Sequence, residues 1–189
     1  MTYDANKLLV TVEDGLEYLG IDHGDDADEV GFLIQAVSEM FDAATDRHLL
    51  ASAHTEYYVG NGTATIYLRN YPVTSTTDNI DIRVDPGREF GTDSRVTELW
   101  LENETGAVVR KGRWFGQGVP IRAVYNAGYT TVPHDLRLAT MNMLSVVWGE
   151  KDKKQFNLAS MTIGDINYQY LDRIPHKVAQ TLMRYRRHG

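Results

Sequence analysis

The stretch Val30-Gly31-Phe32-Leu33-Ile34-Gln35-Ala36-Val37-Ser38-Glu39-Met40-Phe41-Asp42-Ala43-Ala44, set against His54-Thr55-Glu56-Tyr57-Tyr58-Val59-Gly60-Asn61-Gly62-Thr63-Ala64-Thr65-Ile66-Tyr67-Leu68, decides the fold class. In the first, Val30, Leu33, Ile34, Val37, Met40, Phe41 and Ala44 recur at i, i+3, i+4 and i+7, with Glu29, Gln35, Ser38, Glu39 and Asp42 on the other side. That period predicts an amphipathic helix from about Asp26 to His48. In the second the period drops to two and aromatic and β-branched residues dominate, while Gly60-Asn61-Gly62 supplies the positive φ angles of a tight turn. This spacing predicts a β-hairpin that pairs 54–59 with 63–68.

Upstream, Thr11 caps a short helix over Val12 to Leu19 that carries acids in its first turn and closes at Gly20. Downstream, Ile80 to Val84, Glu98 to Leu101, Ala107 to Arg110 and Val119 to Tyr125 read as strands, and Asn103-Glu104-Thr105-Gly106 as a second hairpin turn. Together they predict one small antiparallel sheet with a long loop. Helix returns at Pro133, which suits a first helical turn, beside Asp135 at the positive end of the dipole. The run Leu136, Leu138, Ala139, Met141, Met143, Leu144, Val146, Val147, Trp148 is apolar on more than one face and is expected to stop at Gly149, before the solvated link 150–154. A strand over Asp165 to Tyr170 then precedes Pro175 and a terminal amphipathic helix carrying Val178, Leu182 and Met183. The fold class is therefore α+β: an N-terminal helix pair and a long central helix forming a helical bundle, a small antiparallel sheet or hairpin insertion, and a C-terminal strand plus short helix.

At 189 residues with 42% hydrophobic and 24% charged residues, the chain is long enough to bury a core and too apolar to stay disordered. It has no cysteine, which excludes disulfides, cysteine-ligated metals and a thiol nucleophile. The N-terminal residues carry no basic region followed by an apolar one, and no stretch is apolar enough to span a bilayer, so the reading is of a soluble protein with no membrane partner. Charge is polarised: residues 1–59 sum to −11, 60–150 to −1 and 151–189 to +5, giving the net −7. An acidic chain is a poor reader of DNA sequence, although such polarity can complement a neighbouring surface.

Few constellations carry chemistry. Asp22, His23, Asp25, Asp26 and Asp28 have the residue types of a metal-assisted hydrolase, one resting on Asp22, His23 and Asp25. A calcium loop needs ligands at alternate positions, however, and Gly24 falls in one of those slots; acids just before a helix serve as caps and dipole partners. The six histidines are scattered, Ser160 stands in no nucleophile elbow, and Gly116-Gln117-Gly118 is no dinucleotide fingerprint. No catalytic residue, metal or cofactor is assigned. Tyr57, Tyr67, Trp100, Trp114 and Tyr125 fall on strands or beside turns, where they either pack half-buried or stack bases or sugars. Arg173, Lys177, Arg184, Arg186 and Arg187 gather cations around a helix whose other face is apolar, which reads as a frayed end or as a docking tail.

The order of several short strings resembles the head-to-tail connector proteins (adaptor or head-completion proteins) of long-tailed bacteriophages and gene transfer agents. The strings are the helix pair around Ile21-Asp22-His23, Tyr67-Leu68-Arg69-Asn70-Tyr71-Pro72-Val73, Tyr125-Asn126-Ala127-Gly128-Tyr129, Val132-Pro133-His134-Asp135-Leu136, Ile163-Gly164-Asp165 and the closing Leu182 to Arg187. Residues 74–118 depart from that pattern. The resemblance implies a virion structural protein of the neck, made in the bacterial host cytoplasm, with no catalysis and no cofactor. It implies a ring, commonly of twelve copies, under the portal protein and above a stopper or tail-completion protein, with double-stranded DNA passing through the lumen without sequence-specific binding. It divides the chain into a connector domain, 1–155, with helices 12–19, 26–48 and 133–149 and a β insertion 54–126, and a docking segment, 156–189. The portal-docking residues expected on this basis are Arg173, Lys177, Leu182, Arg184, Tyr185, Arg186 and Arg187. A tail or baseplate module binding glycans is the alternative role.

Overall fold

The computed structural model describes residues 2–22, 26–152 and 174–187. The strand expected over Asp165 to Tyr170 lies outside the described residues, as do Ile163-Gly164-Asp165, Arg173, His23, Asp25 and His188. Among the described residues, four α-helices, α1 (Val12–Leu19), α2 (Ala27–Thr45), α3 (His134–Asp152) and α4 (His176–Tyr185), and six strands, β1 (Ser52–Val59), β2 (Thr65–Tyr67), β3 (Asp81–Val84), β4 (Leu99–Glu102), β5 (Ala107–Arg110) and β6 (Pro120–Ala127), form an α+β fold. They separate into a helical unit, from the described residues of 1–46 and 131–188, and a β unit, Arg47–Thr130. No helix among the described residues is long and apolar enough to cross a membrane.

In the helical unit local chemistry sets the ends. Thr11 Oγ1 accepts the Asp14 N–H at 3.1 Å and starts α1, and Gly20, left-handed at φ 69°, turns its N–H back onto Glu17 and Leu16. Helix α2 stops at Thr45, short of the expected His48, because Asp46 takes the left-handed conformation at φ 55° and closes the last turn. Helix α3 runs through Gly149 to Asp152 instead of stopping: a lone glycine inside a helix costs only about 1 kcal/mol against alanine and keeps its hydrogen bonds. Val10, Leu16, Val30, Ile34 and Leu144 form the core between α1, α2 and α3. The fit is close at Gly15, where a Cβ would lie 2.8 Å from Ile34 Cδ1.

Arg137 of α3 clamps α1 through Asp14 Oδ2 at 2.7 Å. The Thr11 hydrogen bond first, and the Arg137 charge with it, hold the Asp14 carboxyl below the usual range. A depressed carboxylate adds stability that is present above its unfolded pKa of about 4 and is lost as pH falls through the lower folded value. Asp14→Asn is therefore expected to destabilise the protein by about 0.5 kcal/mol at pH 7, the scale of a partly exposed pair, and by nothing measurable near pH 2. Urea unfolding at the two pH values checks this, and an unchanged difference at pH 2 would refute it.

The β unit departs from the expected hairpin. Strand β1 pairs antiparallel with β6 and β2 with β5, so two three-stranded sheets form, in the orders β1-β6-β3 and β2-β5-β4. The glycine turn serves another contact. Gly60 N–H donates to Val119 O, Gly62 N–H to Phe115 O, and a Cβ at Gly60 would lie 2.1 Å from Gly116 O. Gly60 and Gly62 thus admit the 115–119 backbone rather than fold β1 onto β2. The second expected turn does join β4 to β5. Strand β6 alternates strictly, with Ile121, Ala123, Tyr125 and Ala127 inward, and these join Ile66, Leu68, Ile82, Leu101, Val108 and Phe115 in one apolar core.

One half-buried carboxylate sits at the margin of that core. Glu56 accepts from the Tyr58 hydroxyl, from Tyr125 Oη at 2.7 Å, from Asn70 Nδ2 at 2.8 Å and from the Arg69 N–H at 3.3 Å. Burial first, and the neighbouring carboxylate with it, push both phenols above the ordinary tyrosine range, so they stay neutral donors.

Candidate docking helix

Helix α4 follows Pro175 and carries one apolar stripe. Val178, Thr181 and Leu182 are buried, and Thr181 turns its hydroxyl onto Lys177 O. The opposite stripe, Lys177, Gln180, Met183 and Arg184, is exposed, with Met183 at 70%. The sequence reading placed Met183 with Leu182 on the apolar face; successive helical residues point about 100° apart, so only one of the two packs inward.

The anticipated docking residues divide by position. Lys177, Arg184 and Arg186 are exposed, and Leu182 belongs to the helix packing. Tyr185 donates its hydroxyl to Asp135 Oδ1 at 2.5 Å, and Arg184 Nη1 lies 3.6 Å from Asp135 Oδ2. Arg187 donates its N–H to Thr45 O at 2.9 Å and its guanidinium to Asp46 at 3.2 Å. Arg173 is outside the described residues. Asp135 and Asp46 thus receive the basic end from α3 and from the end of α2, a pairing with no sequence signal because they lie far from it along the chain. What α4 presents outward is a cationic stripe with a methionine at its centre, suited to an acidic surface with an apolar spot.

Among the described residues no cluster of three His, Cys, Asp or Glu side chains is placed to hold a metal ion. A shallow groove of about 180 Å³ is lined by Tyr3, Ala5, Leu8, Val10, Thr11 and Val12 and gathers no acid, base or metal ligand. Of the aromatics that could pack or stack, only Tyr125 is buried; Tyr57, Tyr67, Trp100 and Trp114 are more than half exposed.

Comparison with known proteins agrees with this arrangement. The family model of the head completion proteins matches residues 8–188, and the chain belongs to that family. Membership carries a structural role at the head-to-tail junction of a virion. The fold is similar to a chain in the neck of an empty gene transfer agent particle computed with C6 symmetry, with TM-score 0.65 and 14% identity over 100% of this chain and 94% of the other. It is equally similar to a chain in the virion of a native gene transfer agent particle, with the same score, identity and coverage. No curated protein matches the chain.

Proposed function

We propose that the chain is a head-to-tail connector that assembles as a ring, of about twelve copies, beneath the portal, carries the DNA channel onward, and receives a stopper or tail-completion protein below. The family match over residues 8–188 carries this reading. The neck setting and cyclic symmetry of the similar solved structure support it. A closed ring of identical chains needs head-to-tail contacts between unlike patches. The helical unit offers material for them in the exposed apolar residues Phe32 and Leu138, together with an acidic front and a basic end. The role is structural, without catalysis or cofactor, and a mildly acidic lumen lets DNA slide rather than stick.

Portal docking falls to the segment 156–189, with the exposed stripe of α4 as its described part. Truncation at Pro175 is a poor test, because it also strips Val178 and Leu182 from the core. The double variant Lys177→Glu with Met183→Glu changes only exposed positions that no ion pair among the described residues uses. Native mass spectrometry with the portal from the same gene neighbourhood is expected to show about one wild-type chain per portal subunit. The double variant is expected to melt like wild type and to bind at least about tenfold more weakly. No wild-type binding to an intact portal would overturn the connector role; normal binding by the variant would overturn the docking assignment alone. The exposed Tyr57, Tyr67, Trp100 and Trp114 favour a second reading, a glycan-binding tail module, which binding on a glycan array with indifference to the portal would establish.

A further inference from the structure

Asn61-Gly62 is the one place in the chain where glycine follows asparagine, and main-chain hydrogen bonds clamp it on both flanks. On one flank the Gly60 N–H donates to Val119 O and the Gly118 N–H to Gly60 O, both at 2.8 Å. On the other the Gly62 N–H donates to Phe115 O at 2.9 Å, and the Phe115 N–H to Thr63 O at 2.7 Å. Phe115 is fully buried, so this second pair is anchored in the core of the β unit. Asn61 itself is exposed to water.

Asparagine followed by glycine invites one reaction. The Gly62 nitrogen, once it has lost its proton to solvent, attacks Asn61 Cγ and forms a new C–N bond. The Cγ–Nδ2 bond breaks, and the leaving nitrogen takes up a proton from solvent and departs as ammonia. The resulting succinimide adds one water and opens to aspartate or to isoaspartate. Glycine favours the attack because no side chain crowds its nitrogen.

The two reacting groups stand differently in the fold. Asn61 Oδ1 accepts from the Thr63 N–H at 3.0 Å and from the Thr63 hydroxyl, which it shares with Thr65 O, at 2.7 Å. Donors at that oxygen polarise the carbonyl and favour the negative charge that attack would place there. The ring closed by the Thr63 N–H bond runs through the Gly62 peptide unit, so the carboxamide is kept beside its attacker. The attacker is the group held back, because its proton is engaged by Phe115 O in a bond fixed to the core.

We infer that Asn61 is a deamidation site guarded by the 115–119 backbone, which reacts only when the Gly62 N–H leaves Phe115 O. The change also locks the turn out of its old place. An isoaspartyl link adds a methylene to the main chain, and the contact has no slack for it, since even a Cβ on Gly60 would lie 2.1 Å from Gly116 O. Each opening that leads to reaction is therefore recorded permanently, as a negative charge and a lengthened turn.

Peptide mass spectrometry tests this by following the unit mass gain at Asn61 at neutral pH, in the native chain and in the chain unfolded in guanidinium chloride. The native chain is expected to react at least about tenfold more slowly. Equal rates overturn the guard. In the native chain, small additions of guanidinium chloride are expected to raise the Asn61 reaction and hydrogen exchange at the Gly62 amide by the same factor, because one opening gates both. A reaction that stays constant while Gly62 exchange accelerates contradicts the inference. Gly60→Ala drives a carbon against Gly116 O and is expected to speed the Asn61 reaction at least about tenfold in the folded chain. An unchanged rate in that folded variant also overturns the guard; should the variant not fold, the parallel between the two wild-type rates decides.

Discussion

Gly128→Ala is expected to lower stability by more than about 4 kcal/mol, enough to leave the β unit largely unfolded at 37 °C. Two effects add. Gly128 has φ 107°, outside the regions that L-residues favour, and strain of that kind costs on the order of 1–3 kcal/mol. A Cβ there would also lie 2.3 Å from Leu50 O, 2.5 Å from Leu50 C and 2.7 Å from Ala51 N. These are main-chain atoms and cannot turn aside as a side-chain end can. The surrounding bonds hold them in place: Gly128 N–H to Pro72 O at 2.9 Å, Tyr129 N–H to Leu49 O at 2.7 Å, and Ala51 N–H to Tyr129 O at 3.2 Å. Gly20→Ala is the control, since Gly20 also has positive φ, 69°, but nothing lies within 4 Å of its added carbon. It is expected to cost only about 1 kcal/mol. Urea unfolding of both variants gives the comparison, and a Gly128→Ala cost no larger than that of Gly20→Ala would show the close approach to be wrong.

Glu56→Ala is expected to cost roughly 3–5 kcal/mol. The carboxylate is the common acceptor for Tyr58, Tyr125, Asn70 and Arg69, and its loss leaves several donors without it in a half-buried place. Glu56→Gln keeps the shape but turns an amide donor toward one of the phenols, so roughly 2 kcal/mol is expected. The pair of variants separates shape from charge, because equal losses would mean that packing alone is at stake. The distinction bears on the β unit, since Glu56 lies on β1 and its partners fix the inward face of that strand.

Helix positions were legible because the signals are local. Thr11 and Gly20 cap α1 within one turn, and the apolar stripe from Val30 to Phe41 repeats at short range. The α+β class followed from the change of period between Ala44 and His54, and the family from the order of short strings, one of which contains Gly128. Pairing was not legible in the same way. Gly60-Asn61-Gly62 carries the chemistry of a tight turn, yet Gly60 and Gly62 hold the 115–119 backbone, a partner more than fifty residues away.

The docking helix shows the same division. Its cations and its amphipathic pattern stand in the sequence, but which of Leu182 and Met183 faces inward, and which arginine is held by Asp135 or Asp46, depends on how α4 lies on α2 and α3. The aromatics are the extreme case: Tyr125 is in the core and Tyr57, on the strand beside it, is exposed, although both read alike in the one-dimensional pattern. Period, capping and composition by themselves determined the elements, the absence of cysteine chemistry and the family resemblance, because those depend on residues a few positions apart. The tertiary structure alone decided strand partners and the exposed stripe of α4, because each is set by contacts between segments that the chain brings together only when the core forms.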